Sequence, residues 1–174
     1  EEEEEEEEEE ENPVRKSKME LLSPAGEAAV GSILEEYLCI HDTDEAVECL
    51  QELYGKGHPR ELVNEEVVRK GLMLALDAGD KESELIGKML GALLERKVLE
   101  AVDSAKGFCD VMADLSDIAI DVPKAPQLMA SIIEGLLQRQ LLDPAVIGEG
   151  VAQLCSESDS MGKHFAAVKQ LLPQ

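Results

Sequence analysis

The chain has 174 residues, of which 44% are hydrophobic and only 2% aromatic, and its formal net charge is −23. That length suits one domain plus a tail, with a core large enough to fold without disulfides or metal. The dense negative charge repels phosphate backbones and four aromatic rings offer few stacking platforms, so direct nucleic-acid binding is not expected; a basic protein surface is the complementary partner.

Eleven of the negative charges form the opening run of Glu, residues 1–11, and the remaining 163 residues still carry −12. Like charges at that density bury nothing, so the run reads as a disordered tail. A polar linker with Arg15, Lys16 and Lys18 follows. The expected division is residues 1–24 as tail and linker, and 25–174 as one folded helical domain. A chain that opens on Glu and not on Met reads as a piece of something longer.

From Ala25 the apolar period is helical. Val30, Ile33, Leu34, Tyr37 and Leu38 make one stripe, and His41 to Asp44 interrupts it. Asp42 followed by Glu45 predicts an N-cap. A second helix runs through Ala46, Val47, Leu50 and Leu53, and Gly55, Gly57 and Pro59 end it. The third covers about 61–76, with Val63, Val67 and Leu74 inward, before a turn at Gly79. The fourth carries Ile86, Met89, Leu90, Leu93 and Leu94. The fifth centres on Ala105, Phe108, Cys109 and Met112. Pro126 opens a sixth through Leu128, Ile132, Ile133, Leu136 and Leu137. Asp143 and Pro144 open a seventh through Ile147, Val151 and Leu154. A short helix from Gly162 to Leu172 carries Phe165 and Val168. Short connections imply antiparallel neighbours, and the loose likeness of residues 33–38 and 89–94 suggests stacked hairpins.

Catalytic chemistry has no foothold in this pattern. His41, His58 and His164 share no motif, and the chain lacks the nucleophile elbow, the zinc-protease motif and the phosphate-binding loop. Gly148-Glu149-Gly150 lies inside a helical segment with no preceding strand. The acidic residues between Asp77 and Glu82 lack the ligand order of a calcium loop. Cys39, Cys49, Cys109 and Cys155 show no ligand spacing and read as free thiols at or near core faces in a reducing compartment. No run of 18 apolar residues occurs and no signal peptide is visible. The expectation is therefore no enzyme activity, no cofactor, no metal site, no membrane span and no small-molecule substrate.

Residues 114–123 stand apart. The order Asp117-Ile118-Ala119-Ile120-Asp121 alternates with period two, which predicts an extended connection with Ile118 and Ile120 anchored in the core. Asp117 and Asp121 would then stand outward together, on a segment stiffened by Pro123 and Pro126. Two readings of that pair remain open on the residues alone. It is a solvated arrangement before a helix N-terminus, or it is a rigid acidic contact for a basic partner.

The stretch Asp114-Leu115-Ser116-Asp117-Ile118-Ala119-Ile120-Asp121-Val122-Pro123-Lys124-Ala125-Pro126-Gln127-Leu128 resembles the most recognisable part of the MA3 domain. Ile33-Leu34-Glu35-Glu36-Tyr37-Leu38, followed by Asp44 to Leu53, is similar to the first helical hairpin of that family, found in programmed cell death protein 4 and eukaryotic translation initiation factor 4G. The resemblance covers about residues 25–154. It implies an all-α, HEAT-like right-handed array of seven to eight helices that binds the DEAD-box RNA helicase eukaryotic initiation factor 4A. It also implies that Asp117 and Asp121 contact the helicase and help displace RNA, with Asp114, Pro123 and Lys124 as neighbouring contacts. The function implied is regulation, by inhibition, of cap-dependent translation initiation in the cytoplasm, with the nucleus as a second compartment. Two alternatives stand beside it: a helicase-recruiting adaptor within a 4G-type scaffold, and a HEAT-like scaffold for another protein.

Overall fold

The computed structural model describes residues 21–157 and 165–172. The Glu run and the basic linker residues expected to precede the domain lie outside the described residues. Among those described, the chain is all-helical, with nine helices: α1 (Pro24–Ile40), α2 (Thr43–Gly55), α3 (Arg60–Ala78), α4 (Asp80–Glu95), α5 (Ala101–Ala113), α6 (Leu115–Asp121), α7 (Ala125–Gln138), α8 (Pro144–Glu157) and α9 (Ala166–Leu171). The helix beyond the seven or eight expected is α6. Gly162, expected to start the last helix, lies outside the described residues.

The boundaries have local causes. Ser23 caps α1, its Oγ accepting from the Gly26 amide at 3.2 Å, with Pro24 at the first position. Asp42 caps α2, its Oδ1 accepting from Asp44 and Glu45 at 2.9 and 3.2 Å, which satisfies donors the helix cannot pair itself. Asp143 does the same at α8, accepting from the Ala145 amide at 2.9 Å. Gly79, at φ 118°, separates α3 from α4 in a conformation that a side chain would strain.

Helices adjacent in sequence pack as hairpins, α1 on α2 and α3 on α4, and the hairpins stack in a HEAT-like array. α3 is the hub, lying against α1, α4, α5 and α7, while α5 meets α8 and α7 meets α9. Val30, Leu34, Val68, Leu72, Ile86, Leu90, Phe108 and Ile133 are fully buried at these seams. Leu74, expected inward, is only half-buried, and Val68, Leu72 and Leu76 carry the inner face of α3 instead. Leu22, from the segment read as linker, packs into the core cluster.

Close approach of α3 and α5 depends on Gly107, where a Cβ would lie 2.8 Å from the Val68 side chain. A polar knot joins α2, α3 and the α4–α5 connection. The fully buried Asn64 accepts from the Tyr54 hydroxyl and donates to the Val98 carbonyl at 3.2 Å. Arg60 lies over the Tyr54 ring and donates to the carbonyls of Lys97 and Val98, each at 3.0 Å. With its polar atoms paired, such a knot fixes how the hairpins stack.

Candidate functional site

Residues 115–121 form a short helix, and this corrects the extended reading. Both templates fit so short a window: Ile118 and Ile120 alternate, but Leu115, Ile118 and Val122 fall at i, i+3 and i+7. The helical pattern prevails because Leu115 is completely buried and Ile118 packs against the core. Ile120, expected as the second anchor, is instead 77% exposed.

Asp114 is the single residue between α5 and α6. Its carbonyl accepts from the amides of Asp117 and Ile118, both at 3.0 Å, which starts α6 immediately after the bend. Val122 ends the helix in an extended-side conformation, φ −123° and ψ 86°, as a residue before proline must. Three residues later Ala125 opens α7, with Pro126 in its first turn.

The helical geometry strengthens the acidic feature that the sequence singled out. Asp114, Asp117 and Asp121 fall at i, i+3 and i+7, so three carboxylates, and not two, share one face. All three are exposed, as are Pro123 and Lys124. α6 lies against α5 and α7, so this face is presented by a helix whose other side is held by two neighbours. Lys124 Nζ approaches Asp80 Oδ2 at 3.9 Å, with both side chains about four-fifths exposed. A pair so open to water contributes little and leaves Lys124 accessible.

Asp80 also lines an open groove of about 310 Å³ between α4 and α7. Its floor is Leu128, Ile132 and Leu136, and it is open because Gly87 and Gly135 carry no side chains there. Charges along its rim are paired, Lys88 with Glu84 at 3.1 Å and Arg139 with Glu95.

A second acidic cluster bridges α3 and α5. Lys106 Nζ donates to Glu65 Oε2 at 2.9 Å, and Asp110 is hydrogen-bonded to the Glu65 carboxyl. Burial, that hydrogen bond and the Glu65 charge together raise Asp110 above the usual carboxylate range, while Lys106 and Arg69 pull the other way. Among the described residues, no group of three or more His, Cys, Asp or Glu side chains is arranged to hold a metal ion.

The cysteines are free. Cys39 is exposed, a correction to the core-face expectation, whereas Cys49, Cys109 and Cys155 are half-buried. Burial pushes the Cys109 thiol up, with Asp110 adding to the effect, and burial followed by nearby glutamates does the same at Cys49. Both therefore favour the neutral thiol over the nucleophilic thiolate. Among the described residues, no helix is long and apolar enough to cross a membrane.

Sequence reasoning found the acidic segment but missed the anchor Leu115, the exposed Ile120 and the Asp80 partner of Lys124. The Asp114–Asp117–Asp121 spacing was a helical signal available in the sequence.

A stacked-hairpin array with a short acidic helix wedged between two longer ones defines a HEAT-like helical domain. The chain belongs to the MA3 domain family, which matches residues 27–143 and so takes in both the first hairpin and α6. It is 34% identical over 114 residues to MA3 domain-containing translation regulatory factor 1 of Arabidopsis thaliana, covering 66% of this chain and 15% of that protein. It is 29% identical over 160 residues to eukaryotic translation initiation factor 4 gamma 1 of Mus musculus, covering 92% of this chain and 10% of that protein. The chain thus spans a small fraction of the relatives it matches. Those relatives carry the names of translation regulatory and initiation factors.

Proposed function

We propose that this chain is a non-catalytic interaction module that binds the DEAD-box helicase eukaryotic initiation factor 4A through α6, and that it inhibits cap-dependent translation initiation in the cytoplasm. The observation that carries the reading is the set of three exposed carboxylates, Asp114, Asp117 and Asp121, on one face of a helix held by α5 and α7. RNA helicases hold RNA phosphates with Arg and Lys, and carboxylates fixed at helical spacing compete for the same side chains. Asp117 and Asp121 are the principal contacts. Asp114 extends the face, and Pro123 and Lys124 lie at its C-terminal edge.

The test is a calorimetric titration of initiation factor 4A with the chain and with its Asp117→Ala/Asp121→Ala variant. Removing carboxylates that become desolvated against cations is expected to weaken binding about 30-fold or more. Added salt should weaken the wild-type complex, since attraction between opposite charges is screened. Circular dichroism should show the variant folded, because neither carboxylate contributes to the core. Wild-type affinity in the folded variant would move the contact elsewhere, and no binding by the wild type would leave a HEAT-like scaffold with another partner.

A second reading follows from the 92% of this chain that aligns with initiation factor 4 gamma 1. In it the same contact recruits the helicase, and translation rises. Adding the domain to a cap-dependent translation extract separates the two, since a fall in output supports inhibition and a rise supports recruitment.

A further inference from the structure

Ile120 does not fit the amphipathic design of its own helix. Leu115 and Ile118 hold α6 against the domain, yet Ile120 is a large aliphatic side chain left 77% exposed within one turn of Asp117 and beside Asp121. On a helix advancing about 100° per residue, Ile120 lies about 60° from Asp117, and Asp114, Asp117 and Asp121 fall together within an arc of about 60°. The outward surface of α6 is therefore an apolar knob bordered on one side by three carboxylates. Pro123, also exposed, lies just beyond it at the C-terminal end of the helix, whereas Val122 turns inward and packs against the core. Single exposed aliphatics are ordinary on protein surfaces. This one differs in standing beside a row of like charges on a short helix held from behind.

Interfaces of lasting specificity pair an apolar centre, from which water is excluded, with a charged rim. Carboxylates alone give steering and salt sensitivity, and they are screened and solvated unless something beside them displaces water. We propose that Ile120 is the apolar anchor of this surface, and that its occupant is a protein site with an apolar depression bordered by Arg or Lys. The charge complementarity to three carboxylates selects that chemistry. The proposal rests on the reading that α6 binds initiation factor 4A, and it adds a residue that the charge pattern does not supply.

The test uses the full 174-residue chain titrated into initiation factor 4A at several salt concentrations. The wild type, Ile120→Ala, Ile120→Ser and Asp117→Ala/Asp121→Ala are compared. Ile120→Ala should lower affinity about tenfold and Ile120→Ser at least as much, the scale of losing a buried aliphatic anchor. The salt dependence of both should match the wild type, because no charge has changed, whereas the double Asp variant should lose affinity and become less salt-dependent. Thermal stability of the Ile120 variants should stay close to that of the wild type, since the side chain is largely exposed. Wild-type affinity in both Ile120 variants, with binding lost in the double Asp variant, would overturn the anchor and leave the acidic contact standing. A wild-type chain that does not bind the helicase would overturn both.

Discussion

Replacing Gly107 with Ala tests the packing that brings α5 onto α3, and through α5 positions α6. A Cβ at Gly107 would lie 2.8 Å from both Cβ and Cγ1 of Val68 and 3.2 Å from the Glu65 carbonyl oxygen. Val68 is itself fully buried, and its Cβ is not the free end of a flexible chain, so the helices must separate. Overpacking of this kind costs about 1–3 kcal/mol, offset by about 0.5–1 kcal/mol because Ala suits a helix interior better than Gly. The net expectation is a loss of about 1–2 kcal/mol, a fall in Tm of about 3–6 °C for a domain of this size. Gly135 in α7 supplies the control, since no atom would lie within 4 Å of its added Cβ. There only the propensity term acts, and Gly135→Ala should stabilise by about 0.5–1 kcal/mol. Urea denaturation of the two variants and the wild type, followed by circular dichroism at 222 nm, measures both changes. A Gly107→Ala variant as stable as the wild type, or two variants shifting in the same direction, would refute the close α3–α5 approach.

Two other perturbations probe the same elements. Leu115→Ala removes the only fully buried side chain of α6 and should cost about 2–3 kcal/mol in urea denaturation, with a matching loss of helicase binding because the acidic face loses its backing. At Asp110 the folded-state pKa is raised, chiefly by burial and then by Glu65. Its favourable contribution is present below the unfolded pKa and is lost as pH rises through the folded value. Asp110→Asn should therefore raise Tm at pH 7 and reduce the decline in stability that this carboxyl imposes above about pH 4, as read by thermal scans across pH 3.5–7.5.

Much of the fold was legible because long helices repeat their signal. The stripe Val30, Leu34 and Tyr37 is buried in α1, and Asp42 caps α2 through the hydrogen bonds its spacing suggested. The hub role of α3 was not legible. It presents Val63, Val67, Val68, Leu72, Ala75 and Leu76 to several neighbours at once, which widens its apolar surface beyond a single stripe. The two look-alike segments, residues 33–38 and 89–94, belong to α1 and α4, which open and close successive hairpins; local likeness reported apolar spacing and not equivalent places in a repeat. At α6, seven residues give two turns of evidence at most, and one exposed Ile beside one half-buried Ile imitates a strand. The polar knot of Tyr54, Arg60 and the buried Asn64 reaches across to the Lys97 and Val98 carbonyls, too far along the chain for any periodic pattern to reveal it.

The central claim is that α6 and its flanks are the surface that meets initiation factor 4A. Chemical-shift mapping tests it most directly, with unlabelled helicase titrated into the 15N-labelled chain. Shifts and line broadening should concentrate on residues 114–124, strongest at Asp117, Ile120 and Asp121, and fade when salt is raised. Perturbations confined to α1 and α2, with α6 unmoved at saturation, would contradict it.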